Sequence, residues 1–531
     1  MTSGGAGAPL EWETIPALVR WAADRFAAGE AVVDGDLRLT YAELGGRVER
    51  AARAFVAAGI EPGDRVALWA PNGSVWIESV LGLVTAGAVL VPLSTRYRGA
   101  EAAYILERSR TRALISAGEF LGVDYPSLLQ GHDLPHLERR IVLADRSPEG
   151  WQTWGSFLSA GESVPAPAVE ERAAAVGPDD LCDLMFTSGT TGAPKGVMAR
   201  HGTTLRVFRE YRDIVGMRPG DRYLIVNPMS HSFGYKAGVL VSLMSGVTMV
   251  PQAVFDVDAV FEAVATERIS MLPGPPTLYQ SLLNRPKRDA ADLSSLRLAV
   301  TGAAVIPTEL VRRMLDELGF ETVITAYGLT EASGFVTSCR RGDDIDTIAT
   351  TSGRAIPGVE VRIVDDDGNE VERGRPGEIV CRGYNVMSGY FEDPEATAEA
   401  VDAGGWLHTG DIGTMDAAGN IRVTDRKKDM FIVGGFNAYP AEIENLLLRH
   451  PAVAQVAVVG VPDERMGEVG VAFVVPAHDA AASEEEIVEW ARGEMANYKV
   501  PRQVHVVDAL PVNAAGKVLK FELRERAGSK G

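Results

Sequence analysis

The chain has 531 residues, of which 46% are hydrophobic, and its formal net charge at pH 7 is −20. This length is too great for a single hydrophobic core and predicts about three or four folding units. So much negative charge disfavours nucleic acid or an anionic membrane as a partner, although it is compatible with a locally basic nucleotide pocket.

The cysteines and the apolar segments favour a cytoplasmic location. Cys182, Cys339 and Cys381 are far apart and lack the spacing of a metal site, which indicates buried thiols in a reducing compartment. Residues 1–9 lack the basic start and the apolar core of a secretion signal. The longest nearly unbroken apolar run, 237–250, has about 14 residues, fewer than the ~18 that a membrane span requires.

The N-terminal part of the chain alternates short apolar runs with helical patterns, which predicts βαβ units and buried parallel sheets. The predicted strands are Arg65–Ala70, Val89–Leu93, Arg112–Ser116, Tyr223–Val226, Val247–Val250, Leu296–Val300 and Thr322–Thr325. The predicted helices are Val75–Thr85, Glu101–Glu107, Val257–Glu267 and Thr308–Leu318. Because the pattern restarts after Gly196, we expect two similar α/β halves packed together rather than one continuous sheet.

From about Ser352 the sequence changes to short strands with tight turns, which predicts a small β unit. The predicted strands are Val359–Val364, Glu370–Glu372, Ile379–Arg382 and Ile421–Thr424, with a hairpin turn at Asp416–Asn420. The charged run 425–429 follows. We place a domain boundary there, between an N-terminal domain of residues 1–425 and a C-terminal domain of residues 426–531.

The C-terminal domain has the pattern of a separate α+β module. Its predicted elements are the helices Pro440–Leu448 and Glu484–Glu494 and the strands Val456–Val459, Val469–Val475 and Gln503–Val507. Pro440 suits a first helical position, and Ser483 with three following glutamates predicts a capped helix start. The predicted fold class is therefore α/β, with a large N-terminal domain and a small α+β domain.

The stretch Thr187–Gly196, TSGTTGAPKG, combines three glycines, several hydroxyls and one lysine after an apolar strand. Glycines allow backbone N–H groups to turn toward an anion, and Lys195 adds a positive charge, so the stretch indicates phosphate binding. It is not the common P-loop, because Lys195 is followed by Gly196 rather than by Ser or Thr. A flexible surface loop is the alternative interpretation.

Two further motifs follow predicted strands. The small residues of TGAA, 301–304, would let a flat ring approach the backbone, although a plain tight turn is an equal alternative. AYGLTE, 326–331, ends in Glu331, whose carboxylate could hold Mg²⁺ bound to ATP phosphates. Taken alone, Glu331 would more often be a solvated cap.

Two motifs lie nearer the C-terminus. GWLHTGD, 405–411, places Asp411 after a turn, where its carboxylate could accept hydrogen bonds from two ribose hydroxyls. NAAGK, 513–517, contains Lys517, which by itself would be an ordinary surface lysine. His231 lies in NPMSHSFG, 227–234. Taken alone, it is better interpreted as a structural histidine than as a site residue.

These motifs occur together with DRKKD and GGFNAYPAEIE, in this order and at this spacing, over roughly residues 39–523. The whole set resembles the adenylate-forming superfamily of acyl-CoA synthetases, peptide-synthetase adenylation domains and luciferases. That resemblance implies ATP, Mg²⁺ and coenzyme A as cofactors and a small-molecule carboxylic acid as substrate. It also implies a C-terminal domain that moves relative to the N-terminal domain.

The resemblance implies roles for individual residues of the nucleotide site. The residues that it places around the β- and γ-phosphates are Thr187, Ser188, Gly189, Thr190, Thr191, Gly192 and Lys195. The adenine contacts are Gly302, Ala303, Ala304 and Tyr327, and Gly328 is a further cofactor-binding residue. Thr330 contacts phosphate, Glu331 holds Mg²⁺, and Asp411 and Arg426 hold the ribose.

The remaining implied roles concern the acid, the thiol and the domain movement. Lys517 matches the lysine that bridges the substrate carboxylate and the α-phosphate, although Val512, Asn513 and Ala514 depart from the arginine and threonine of many members. His231 matches a residue beside the acyl pocket. Lys428 matches the hinge, and Gly434 and Gly435 match the wall of the pantetheine tunnel. The implied catalytic residues are Lys517, Glu331, Thr187 and His231.

The implied reaction is activation of a carboxylate to an acyl-adenylate, followed by transfer to the thiol of coenzyme A. No protein nucleophile is needed, and the sequence contains no GxSxG elbow. A stand-alone adenylation enzyme with another acceptor is less favoured, since no carrier segment follows Lys517. A degenerate nucleotide-binding regulator is disfavoured, because every implied catalytic position is filled.

The identity of the acid is a finer question. The segments 227–238, 272–282 and 325–334 resemble acyl-CoA synthetases of actinobacterial steroid catabolism, in particular those that activate the bicyclic indane propanoate left after rings A and B are degraded. FGYKAG, 233–238, carries most of this resemblance. A medium- or long-chain fatty acid or an aryl acid remains the alternative.

Overall fold

The structure is a computed structural model. It describes residues 11–187, 194–285, 291–302, 306, 308–426, 429–433, 436–463, 465–477, 483–495, 497–512 and 518–528, with the backbone alone at 425, 426, 436 and 437. The chain divides into two compact units. The first unit comprises Met1–Glu360 and Cys381–Leu407, and the second comprises Val361–Val380 and His408–Gly531. The domain boundary at 425/426 stays a prediction.

The first sheet of the first unit has seven strands. In spatial order they are Lys195–Arg200, Leu181–Thr187, Val89–Pro92, Arg65–Trp69, Ala113–Ala117, Arg139–Leu143 and Gln152–Thr153. Neighbouring strands are parallel except Leu181–Thr187 and Lys195–Arg200, which form an antiparallel hairpin. Trp69, Val91 and Leu114 are fully buried in its core, as expected for a parallel sheet covered by helices.

Two four-stranded groups make up the second sheet of the first unit, and single bridges through Met271 to Tyr223 and to Leu298 connect them. The first group is Arg222–Ile225, Thr248–Pro251, Glu30–Asp34 and Leu37–Thr40. The second is Leu298–Gly302, Thr322–Tyr327, Thr337–Ser338 and Arg354–Ala355. The first unit thus contains two α/β halves, as the sequence predicted.

Helices connect these strands. The α-helices of the first unit are Ile15–Arg25, Tyr41–Ala57, Ser74–Thr85, Gly99–Arg108, Trp154–Ala160, Ala166–Ala175, His201–Val215, Ser232–Gly234, Val241–Ser245, Val257–Glu267, Pro276–Leu283, Thr308–Asp316, Ile345–Thr350 and Pro394–Ala400, and Tyr235–Leu240 is a π-helix. The apolar run 237–250 folds into the end of the π-helix, a short α-helix and a strand. In the part of the chain that the structure describes, no helix is long and apolar enough to cross a membrane.

The second unit contains most of a small β-sheet and an α+β module. The small sheet has the order Val359–Val364, Gly377–Gly383, Leu407–Met415, Ile421–Arg426. The module has the order Phe436–Ala438, Phe431–Val433, Gly467–Pro476, Val453–Asp463, and Gln503–Val506 also pairs with Gly467–Pro476. Its helices are Pro440–Leu447, Glu484–Glu494 and Lys520–Gly528.

Most of the predicted elements are confirmed, including the helix Val257–Glu267 at both ends. Pro440 is at the helix start, and Ser483 forms a capping box with Glu486. The predicted strand Glu370–Glu372 is wrong. Glu370 makes one bridge to Val364, and the chain then turns at 372–375, where the N–H of residue 375 donates to the carbonyl of residue 372.

A buried histidine makes the stability of the first unit sensitive to pH. His201 is 1% exposed, and its Nδ1 accepts a hydrogen bond from the N–H of Ile15. Burial lowers the pKa of His201 to about 4, from the 6.5 that is ordinary for histidine. The unfolded chain therefore takes up this proton at a higher pH than the folded chain does, and the free energy of unfolding falls between about pH 6.5 and about pH 4.

We expect His201 to account for about 3 kcal/mol of the stability lost between pH 7 and pH 4. His201→Gln should reduce that loss by the same amount, because the amide does not titrate. Urea unfolding of both proteins at pH 7, 5.5 and 4.5 measures the difference. His132→Gln, at an exposed histidine, is the matched control. An identical pH dependence for His201→Gln and the wild type would contradict the prediction.

Candidate active site

The edge hairpin of the first sheet brings two predicted phosphate residues together. Strand Leu181–Thr187 ends at Thr187, and the returning strand begins at Lys195. The antiparallel register places Thr187 directly opposite Lys195. The segment between them, residues 188–193, lies outside the described residues, so the predicted phosphate-binding loop stays a prediction.

Glu331 lies beside this hairpin. It belongs to a short 3₁₀ turn, Thr330–Ala332, that follows strand Thr322–Tyr327. The hydroxyl of Thr187 donates to Glu331 Oε1 at 3.2 Å, although 144 residues separate the two in sequence. Thr187 belongs to one α/β half of the first unit and Glu331 to the other, so this hydrogen bond joins the two halves. The structure therefore brings Thr187, Thr330, Glu331 and Lys195 into one site region.

Tyr390 completes this cluster, and the sequence analysis missed it. Its hydroxyl donates to Glu331 Oε1 at 3.0 Å, and the Lys195 ammonium lies 5.2 Å from the centre of its ring. Burial raises the pKa of Tyr390, and the charge of Glu331 raises it further. The tyrosine is therefore neutral at physiological pH and remains a hydrogen-bond donor. Tyr390 links the carboxylate to the lysine.

Backbone pairing explains the position of Tyr390. The segment 388–391 runs alongside strand Lys195–Arg200, with Phe391 N–H donating to the Gly196 carbonyl at 2.8 Å and Met198 N–H donating to the Gly389 carbonyl at 3.0 Å. Gly389 has φ +118, which favours glycine. The local sequence signal for the position of Tyr390 is a Gly-Tyr pair that follows a turn. Its partner strand is almost 200 residues away, so the pattern alone does not reveal the contact.

Tyr390→Phe should lower kcat/KM about tenfold for the adenylate formation that the sequence resemblance implies. The change removes a hydrogen bond to a charged group, worth about 1.5–3 kcal/mol, but keeps the aromatic ring beside Lys195. Binding of Mn²⁺–ATP, followed by electron paramagnetic resonance, should weaken as well. Tyr125→Phe is the control, because that hydroxyl donates to the Thr95 carbonyl away from the cluster. Equal kinetics and metal affinity in Tyr390→Phe and wild type would contradict the assignment.

Two glycines that the sequence analysis predicted to bind the cofactor occupy tight positions. A Cβ atom on Gly302 would lie 2.4 Å from the Ala326 carbonyl oxygen, and one on Gly328 would lie 2.2 Å from the Gly334 carbonyl oxygen. Strands Leu298–Gly302 and Thr322–Tyr327 are parallel neighbours, with Gly302 opposite Ala326, so Gly302 and Tyr327 lie at the same edge of the sheet. Close backbone packing alone therefore requires glycine at both positions.

His231 lies at the start of the short helix Ser232–Gly234. Its Nδ1 accepts a long hydrogen bond, 3.4 Å, from the N–H of Phe233. Loss of hydration within the protein and the nearby Lys236 ammonium lower the pKa of His231, yet part of the residue is exposed. The structure thus leaves His231 accessible to solvent in the first unit.

The second unit holds the two predicted ribose residues. Asp411 is 4% exposed and lies within strand Leu407–Met415 rather than after a turn. The antiparallel register with Ile421–Arg426 places Asp411 opposite Arg426. The backbone thus brings together two residues that the sequence analysis had paired by resemblance only. The Arg426 side chain is not described.

The other predicted site residues lie outside the described part of the chain. They are Ser188, Gly189, Thr190, Thr191, Gly192, Ala303, Ala304, Lys428, Gly434, Gly435 and Lys517. Their roles stay predictions.

The described residues could hold a hard cation that takes one ligand from the protein and its other ligands from water and a substrate. Among them no cluster of three or more His, Cys, Asp or Glu could hold a metal ion. Both hydrogen bonds to the Glu331 side chain from described residues reach Oε1, so Oε2 is the oxygen available to a cation. Mg²⁺ is commonly bound by one or two carboxylates, with water and phosphate oxygens as further ligands. The arrangement fits that pattern.

Comparison with known proteins shows the family to which the chain belongs. The AMP-binding enzyme family matches residues 19–391, and the AMP-binding enzyme C-terminal domain matches residues 442–517. The chain is 50% identical over 517 residues to 3-[(3aS,4S,7aS)-7a-methyl-1,5-dioxo-octahydro-1H-inden-4-yl]propanoyl:CoA ligase of Rhodococcus jostii (strain RHA1), covering 96% of this chain and 98% of the relative. It is 48% identical over 512 residues to the ligase of the same name from Mycobacterium tuberculosis (strain ATCC 25618 / H37Rv), covering 96% and 98%.

A solved structure has the same architecture. The anthranilate CoA ligase AuaEII in complex with anthranoyl-AMP superposes with a TM-score of 0.89 at 28% identity, covering 99% of each chain. The match extends over both the AMP-binding region and the C-terminal domain. The chain therefore belongs to the AMP-binding enzyme family and is an acyl-CoA ligase.

Proposed function

We propose that this ligase activates a steroid-derived indane propanoate, a bicyclic acid with two ring ketones, and transfers its acyl group to coenzyme A. The observation that carries the proposal is 50% identity over 96% of the chain to a ligase named for that acyl group. A medium- or long-chain fatty acid and an aryl acid are the competing substrates. We also propose that the reaction takes place in the cytoplasm.

The first half-reaction joins two anions. A carboxylate oxygen of the acid attacks the α-phosphorus of ATP, the bond from that phosphorus to the bridging oxygen of pyrophosphate breaks, and acyl-adenylate and pyrophosphate form. Catalysis of such a step consists mainly of positioning and of stabilising negative charge. In our proposal Lys195 and Thr187 bind the leaving phosphates, and Lys517 lies between the carboxylate and the α-phosphate.

Glu331 is the proposed Mg²⁺ ligand, and Thr187 and Tyr390 hold its carboxylate. When bound, Mg²⁺ supplies positive charge beside the phosphate oxygens. Tyr390 orients the carboxylate through Oε1 and leaves Oε2 for the cation. The contact between Lys195 and the Tyr390 ring keeps the loop lysine beside the same carboxylate.

The second half-reaction uses the mixed anhydride as the electrophile. The sulfur of coenzyme A attacks the acyl carbon, the bond from that carbon to the phosphate oxygen breaks, AMP leaves, and the thiol proton passes to solvent. We propose that the C-terminal domain turns at Lys428 between the half-reactions, and that Gly434 and Gly435 then line the path of the pantetheine. Hinge motions are generally absorbed by dihedral changes at a few residues.

The test is mass spectrometry of the products formed from ATP, Mg²⁺, coenzyme A and a panel of acids. The panel contains the dioxo-indane propanoate, fatty acids of graded length, benzoate and cinnamate. A dominant bicyclic acyl-CoA is the expected result. A ladder of fatty acyl-CoAs or a dominant aryl-CoA would contradict the proposed substrate. Adenylates without thioesters would contradict coenzyme A as the acceptor.

A further inference from the structure

The turn that carries Glu331 has a strained backbone next to that residue. The 3₁₀ turn Thr330–Ala332 is followed by Ser333, which has φ +56, and by Gly334, which has φ +88. A positive φ is common for glycine but unfavourable for a residue with a side chain. Strained residues of this kind persist only where the surrounding structure holds them, and they cluster at functional sites. Ser333 is therefore a candidate for a role in the site.

Buried hydrogen bonds hold this turn against Asn385. The Ser333 hydroxyl donates to the Asn385 carbonyl at 2.9 Å, and the Asn385 side-chain amide donates to the Phe335 carbonyl at 3.3 Å. Ser333 is 2% exposed and Asn385 is 0% exposed. Hydrogen bonds on both sides of Gly334 thus fix the strained part of the turn.

The segment that contains Asn385 also holds Glu331 itself. Met387 N–H donates to the Glu331 carbonyl at 2.8 Å, and the Tyr390 hydroxyl donates to Glu331 Oε1 at 3.0 Å. Asn385 is two residues before Met387, and Ser333 is two residues after Glu331. The hydrogen bond between Ser333 and Asn385 therefore belongs to one continuous set of contacts, which fixes both the backbone and the carboxylate of Glu331.

The residue type at position 333 indicates that the geometry of the turn matters. Glycine would adopt φ +56 without the penalty that a side chain brings. Serine instead supplies a hydroxyl that bonds to the Asn385 carbonyl, and it allows fewer backbone conformations than glycine does. The serine thus gives the turn a defined conformation at the cost of a strained backbone.

We propose that Ser333 and Asn385 are positioning residues for Glu331, because they hold the strained turn in the conformation that presents its carboxylate to the cation of Mg²⁺–ATP. Mg²⁺ demands near-ideal octahedral geometry, so its protein ligand must be held within a narrow range of positions. Mutation of residues that orient a metal ligand typically costs about 10–100-fold in metal affinity or activity. The inference rests on the proposed function, in which Glu331 is the Mg²⁺ ligand for adenylate formation.

The experiment compares Ser333→Ala with Ser333→Gly. Both variants lose the hydroxyl, but only glycine adopts φ +56 without strain, so the turn of the alanine variant should depart further from its wild-type conformation. Ser333→Ala should weaken Mn²⁺–ATP binding, followed by electron paramagnetic resonance, and lower kcat/KM for pyrophosphate exchange, each by about tenfold. Ser333→Gly should lie between the alanine variant and the wild type in both measurements.

Ser109→Ala is the matched control. The Ser109 hydroxyl is also buried, and it donates to the Ile105 carbonyl at 2.6 Å at the end of the helix Gly99–Arg108. This variant should bind Mn²⁺–ATP and exchange pyrophosphate as the wild type does.

Two results would overturn the role of Ser333. If its role is merely structural, Ser333→Ala will lower the free energy of unfolding, measured in urea, and leave the Mn²⁺–ATP affinity and kcat/KM at wild-type values. A glycine variant that binds Mn²⁺–ATP as weakly as the alanine variant would contradict the argument from strain. If Ser333→Ala does not fold, wild-type Mn²⁺–ATP affinity in Ser333→Gly would reject the inference.

A double-mutant cycle tests whether Ser333 acts through Glu331. In the Glu331→Gln background, Ser333→Ala should change the Mn²⁺–ATP affinity little, because the carboxylate that the serine positions is already gone. A further loss of about tenfold in that background would contradict action through Glu331.

The proposed function and this inference fail differently. Mn²⁺–ATP binding requires no acid, so it tests Ser333 whichever acid the product panel identifies. Wild-type Mn²⁺–ATP affinity in Glu331→Gln would contradict the proposed metal ligand and, with it, this inference. Weaker binding in Glu331→Gln but not in Ser333→Ala would support the metal ligand and contradict the role of Ser333 alone.

Discussion

Replacing Glu331 with glutamine should slow adenylate formation by about 100-fold or more. Glutamine keeps the shape of the side chain, and its carbonyl oxygen can still accept the hydrogen bonds from Thr187 and Tyr390. What disappears is the negative charge, and with it the anionic oxygen available to a cation. The rate of exchange of labelled pyrophosphate into ATP, measured with saturating acid, reports this half-reaction alone.

Glu317→Gln is the control for this variant. Arg313 lies on the helix Thr308–Asp316, and Glu317 is the residue that follows the helix. The two side chains form a partly exposed ion pair. Such pairs contribute about 0–1 kcal/mol, so the variant should exchange pyrophosphate at the wild-type rate. Titration of each protein with Mn²⁺–ATP separates loss of metal affinity from loss of rate. Wild-type exchange and wild-type Mn²⁺ affinity in Glu331→Gln would reject the carboxylate as a metal ligand.

Lys517→Ala should reduce adenylate formation by about 100-fold or more and leave thioester formation from supplied acyl-adenylate nearly unchanged. The first half-reaction brings a carboxylate against a phosphate, and a cation between them offsets the repulsion of the two anions. The second half-reaction has no such meeting of anions. Pyrophosphate release measures the first step, and single-turnover mixing of acyl-adenylate with coenzyme A measures the second.

The control for Lys517→Ala is Lys520→Ala. Lys520 is three residues further along the chain and pairs with Glu444 at 2.8 Å, so it tests removal of a nearby lysine charge.

Lys428→Pro should show the opposite result to Lys517→Ala, with adenylate formation retained and thioester formation impaired, because proline restricts the backbone at the proposed hinge. Equal loss of both half-reactions in both variants would contradict the separate roles of Lys517 and Lys428.

Local patterns in the sequence determined most of the elements and the type of chemistry. Ser483 with Glu486 set the start of one helix and Pro440 set another, because capping and proline geometry act over three or four residues. Alternation of strands and helices predicted two α/β halves. Glycines, hydroxyls and Lys195 after a strand indicated phosphate binding, since these groups are contiguous in the chain.

The contacts that organise the site were decided only by tertiary structure. The N-terminal strand Glu30–Asp34 joins the second sheet beside Thr248–Pro251, an arrangement with no local signal. Tyr390 reaches Glu331 because its segment runs alongside a strand almost 200 residues earlier. In the sequence Lys236 is only one residue of FGYKAG, and the fold places it against Asp183. Side-chain partnerships across such separations depend on strand order and packing, whereas sequence patterns report only the periodicity and the chemistry of neighbouring residues.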